Sequence, residues 1–148
     1  MKLFILAAIF FANVQLNAQS ANKDYDPVLA KKLNGNEYGM KNYYLIILKT
    51  GPAVETNKTK LDSIFNGHMN NIQLLASQNK LIVAGPMGKN DKEYRGIFIL
   101  NTTSKEEAEK WVSTDPAIQA KVLAAEYYPW FGSAALQETM EIHKKITN

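Results

Sequence analysis

The chain has no cysteine, only two histidines, and one arginine among 17 basic residues. Without cysteine there is no disulfide framework, and a chain of this length needs none to hold a core. Thiol nucleophiles, thiolate metal sites and lipid attachment at a lipoprotein cysteine are excluded by the same absence. The histidines, His68 and His143, stand 75 positions apart, a spacing that matches no familiar metal site. No metal and no cofactor are therefore expected. A glycine-rich phosphate loop is missing, and Ser63, Ser77 and Ser104 lie in no nucleophile motif. The net charge of +3 comes from scattered lysines. The pairs Lys31-Lys32 and Lys144-Lys145 fall near helix ends, where the helix dipole favours cations. No basic stripe with arginine or aromatic readers is present, so nucleic acid is not an expected partner.

Long hydrophobic runs are also scarce. The one that stands out, Leu3 to Ala12, follows Lys2 and is ten residues long, far short of the ~20 a membrane-spanning helix needs. Polar residues and the small Ala18 and Ser20 follow. This is the pattern of a secretory signal peptide, with cleavage after Ala18 or Gln19. The expectation is an exported protein, periplasmic or secreted, with no stable membrane anchor after cleavage.

What is present fits one globular domain of 148 residues, 46% hydrophobic, without internal repeats. Residues 1–19 read as the signal peptide and 20–40 as a lead-in. The lead-in holds a short helix from Val28, opened by Asp26-Pro27 and stopped by Asn34-Gly35. Residues 41–131 read as the main α+β domain, and 132–148 as a C-terminal helix opened by Gly132-Ser133. Within the domain, Tyr43 to Leu48 is a strand with apolar residues on both faces. Leu81–Met87 and Tyr94–Leu100 flank a polar loop and read as a hairpin. Asn57 to Gln78 is a helix whose apolar stripe holds Leu61, Ile64, Phe65, His68, Ile72 and Leu75, with Asn71 and Gln73 off it. Ser104-Lys105-Glu106-Glu107 is a capping box for a second helix. Asp115-Pro116 opens a short turn, and Ala125 to Trp130 is a last strand whose Pro129 suits an edge or a strand end.

Strand, helix, strand, strand, helix, strand is the order of a ferredoxin-like split β-α-β antiparallel sheet with helices on one face. A sheet that is apolar on both faces must be covered on both. A second copy of the chain is the simplest cover for the open face, giving a homodimer.

Four places carry chemistry. His68 is either a general acid or base oriented by a carboxylate or a core histidine bonded to backbone. Asp115 before Pro116 is a helix N-cap by position, and an N-cap aspartate near a sheet end can also accept a proton from a histidine. Arg95, at the start of a central strand, is either an anion clamp or a surface arginine. Gly85-Pro86 is either hairpin punctuation or a close backbone approach to a ligand. His143 reads as a surface residue that complements a helix dipole.

The Tyr43–Leu48 strand, the helix histidine His68, Ala84-Gly85-Pro86, the Ile97–Leu100 strand, and Trp111 followed by Asp115-Pro116 occur in an order that resembles the YCII-related family. The resemblance covers roughly Lys41 to Trp130. It implies a dimeric α+β barrel and a histidine–aspartate pair at His68 and Asp115. One family member is similar to a dehydrochlorinase that acts on a chlorinated hydroxyquinol. The expected function is a small-molecule enzyme working by proton abstraction or elimination on a small anionic or aromatic ligand. The alternatives are a non-catalytic binding module and a dimerisation domain.

Overall fold

The computed structural model describes residues 22–148, so the expected signal peptide lies outside the described residues. Asp26 accepts hydrogen bonds from the Val28 and Leu29 amides and opens α1 (Pro27–Lys32). Then follow β1 (Met40–Thr50), α2 (Lys58–Ser77), β2 (Leu81–Pro86), β3 (Tyr94–Leu100), α3 (Lys105–Val112), α4 (Pro116–Gln119) and β4 (Leu123–Ser133). A 3-10 turn (Ala134–Glu138) and α5 (Thr139–His143) complete the order. The strands form one antiparallel sheet in the order β2-β3-β1-β4, which is the split β-α-β plan. Pro129 lies on β4, an edge strand, where its missing N–H leaves no ladder bond unmade on the open side.

Both outer limits of the sheet exceed the expected ones. β1 and β4 pair without a break from Met40–Ser133 to Thr50–Leu123. The C-terminal helix expected from Gly132-Ser133 is therefore corrected: those residues end β4. The reason is local. A Cβ on Gly132 would stand 2.2 Å from the Trp130 ring, so glycine lets that ring lie flat along the strand and the pairing run on. Ser133 then caps the 3-10 turn by accepting from the Ala135 amide. The capping box is also only half formed. Ser104 accepts from the Glu107 amide, but the Glu107 carboxylate turns to the Thr102 hydroxyl.

The main core lies between the helices and one sheet face. Tyr44, Ile46, Leu48, Leu81, Phe98 and Leu100 meet Leu75, Ala108, Val112 and Ala117. On the other face, Tyr43, Ile82 and Ile99 form a smaller cluster. A second subunit is the simplest cover expected for that face. Part of it is covered from within, because Leu136 of the 3-10 turn packs on this cluster and Tyr43 is fully buried. Leu45, Ile47 and Ile97 stay partly exposed, and Tyr128 is exposed.

Candidate functional site

α2 brings His68 over the sheet. Asn57 starts the helix by accepting from the Lys60 amide, and the apolar stripe then turns His68 inward with Phe65. The imidazole lies parallel to the Phe98 ring of β3, with centroids 6.0 Å apart, and meets the edge of Phe65 at the same distance. Two rings thus hold a third in place.

Beyond the ring stands Asp115. Its Oδ2 is 2.6 Å from His68 Nδ1, and its Oδ1 accepts from the Ala117 amide at 2.8 Å. The N-cap and the histidine partner are therefore not alternatives, since each carboxylate oxygen takes one role. Asp115 is 2% exposed. A carboxylate there accepts, so Nδ1 is the protonated nitrogen and the Nε2 of a neutral ring keeps its lone pair; the tautomer is assigned from this network.

The approach depends on Gly67. A Cβ at that position would lie 2.9 Å from Pro116 Cγ, so glycine lets α2 close on α4 beside the His68–Asp115 bond. One helical turn on, Asn71 donates to Thr114 Oγ1 at 2.8 Å, and Thr114 donates to the Trp111 carbonyl at 2.7 Å. Asn71 is buried, which corrects its placement off the packed stripe. It had to turn inward to tie α2 to the link between α3 and α4.

His68 lines a cavity of about 610 Å³ between α2, the β2–β3 end of the sheet and α5. Leu48, Phe65, Ile72, Ala84, Phe98 and Leu123 give apolar walls. Arg95, Gly85 and Pro86 line it as well, so four of the five candidate residues meet there and Asp115 supports the fifth side from behind His68. Arg95 gets its position from a bulge. Leu48 pairs with Gly96 but Lys49 with Tyr94, which leaves Arg95 as the extra residue, and bulges re-aim side chains in this way. Among the described residues no carboxylate pairs with Arg95. Gly85 has no other protein atom within 4 Å of where a Cβ would be.

Several lining residues were missed by sequence reasoning, Met69 and Leu123 among them. Gln73 was placed off the stripe, and Met140 and His143 come from the C-terminal segment. His143 is the one with chemistry: it is exposed in the last turn of its helix, as expected of a surface residue there, and it also lines the cavity. A helix of five residues shows no apolar stripe that could have revealed its inward side.

The four-stranded split β-α-β sheet with helices on one face places the protein in the ferredoxin-like α+β class. Residues 42–130 match the YCII-related domain, and the chain belongs to that family. No curated protein matches the chain. Among solved structures it is similar to a 5-chloro-2-hydroxyhydroquinone dehydrochlorinase from Burkholderia phenoliruptrix AC1100, in complex with 2,5-dihydroxybenzoquinone. The identity is 25%, the match covers 60% of this chain and 92% of that one, and the TM-score is 0.43.

Proposed function

We propose that this cavity is the active site of an enzyme that removes a proton from carbon in a small anionic or aromatic substrate. The observation that carries the reading is the 2.6 Å bond from His68 Nδ1 to Asp115 in a ring that also lines the cavity. His68 Nε2 takes the proton of an acidic C–H bond. The released electron pair moves to a carbonyl oxygen as an enolate, or forms a double bond and expels a leaving group from the next carbon. Either course is redox-neutral. Asp115 stabilises the imidazolium that forms and holds its orientation. Arg95, without a carboxylate partner among the described residues, holds the anionic oxygen. Gly85 presents bare backbone to the cavity, with Pro86 beside it.

A thermal-shift screen of small carboxylates, phenols and quinones tests this, run on wild type and His68→Ala. Hits that stabilise wild type and lose their effect in the variant support the site. Stabilisation without turnover of any hit would favour the second reading, a non-catalytic binding module. Two further proposals concern the setting of the site. The signal-like N-terminus supports export to the periplasm or beyond. The partly uncovered sheet face supports a homodimer.

A further inference from the structure

We propose that His143 is a second ligand-contacting residue, which selects substrates carrying two oxygen functions instead of one. This rests on the reading of the cavity as a small-molecule site and names what that site prefers.

His143 belongs to none of the elements that build the family core. The YCII-related match ends at residue 130, yet the cavity is completed by Met140 and His143. The segment that carries them is tied down before it arrives. Tyr43 donates to the Ser133 carbonyl at 3.0 Å, the Ala134 amide donates to the Gly39 carbonyl at 2.8 Å, and Gln137 donates to the Leu33 carbonyl at 2.6 Å. Leu136 then packs on the face of the sheet away from the helices. A few residues later Met140 and His143 line a cavity shared with α2 on the opposite face. The chain thus wraps the β2 edge, and its end forms a wall of the cavity.

The chemistry of the lining narrows the ligand. Its polar side chains are His68, Arg95, Gln73 and His143, and no carboxylate lines the cavity. Among the described residues the His143 ring has one polar contact, Thr147 Oγ1 at 3.3 Å from Nε2, which is long for a hydrogen bond. Nδ1 is left for a ligand. His68 and Arg95 account for one acidic centre and its oxygen. A further nitrogen donor from another element suits a second oxygen on the same compact, largely apolar molecule. The class is a small, largely apolar molecule with two oxygen substituents, at least one of them anionic.

The test is calorimetric binding of benzoate against 4-hydroxybenzoate and phthalate to the full-length chain. Wild type should bind the better of the two-oxygen probes about tenfold or more tightly than benzoate, the scale of one hydrogen bond to a charged group. His143→Ala should bring that ratio close to one, and His143→Gln should restore part of it. A ratio unchanged in His143→Ala, with binding still lost in His68→Ala, overturns the role of His143 and leaves the site standing. No saturable binding of any probe, or binding indifferent to His68→Ala, overturns both. Because His143 is exposed near the end of the chain, its replacement leaves the core intact, and matching melting curves would verify this.

Discussion

At the residue scale the decisive feature is a carboxylate that serves two donors. His68 was legible because its place in a three-and-four stripe turns it to the sheet, and Asp115 because Asp-Pro marks a helix start. Their meeting was not legible from spacing, since 47 residues separate them; the fold's topology allowed it and the family resemblance pointed to it. Asp115→Asn separates the two roles. Asparagine is as good an N-cap as aspartate, so its oxygen still accepts from Ala117 and stability should fall by less than about 1 kcal/mol. Its amide must then donate to His68 Nδ1 and drive the proton to Nε2. Ring nitrogen chemical shifts should show Nε2 unprotonated in the neutral ring of wild type and protonated in the variant. The same tautomer in both would remove Asp115 as the orienting group. Asp115→Ala lacks the cap as well and should cost about 1–2 kcal/mol.

At the scale of elements, the split β-α-β order was readable because β1, β2 and β3 are apolar runs with β-branched residues, β4 carries an aromatic run, and α2 is long and periodic. What escaped was governed by distant partners. Asn71 looks solvent-facing by type, and only Thr114 from the α3–α4 link explains its burial. β4 looked shorter because glycine and proline read as punctuation, whereas Gly132 serves the Trp130 ring. The contact of α2 with α4 makes the most direct prediction. Gly67→Ala gains about 1 kcal/mol of helix propensity, but its methyl would press on the stiff Pro116 ring, and overpacking costs about 1–3 kcal/mol. Denaturant unfolding should show a net loss of about 1 kcal/mol. A more stable variant would mean that α4 yields freely and does not fix Asp115.

For the whole molecule, the open sheet face and the N-terminus set the expectations. One end of that face is closed by Leu136, leaving Leu45, Ile47, Ile97 and Tyr128 as an apolar patch that a second copy would cover. Obligate interfaces bury ~2,000 Å² or more. Light scattering should therefore give twice the chain mass at micromolar concentration, and a stable monomer would contradict this. Export should leave a mature chain that begins between Gln19 and Asn22 on N-terminal sequencing, and a mature chain that keeps Met1 would rule it out.

The central claim is that His68 takes a proton from carbon. Proton NMR in D2O, on a compound that binds the cavity and carries an acidic C–H, measures that step without knowledge of the final product. Wild type should wash deuterium into that position. His68→Ala should slow the exchange by about 10²–10⁴, the range a positioned general base supplies, and Asp115→Asn should slow it to a lesser degree. A bound compound that keeps its protons, or one that exchanges at the same rate in wild type and His68→Ala, would contradict the account.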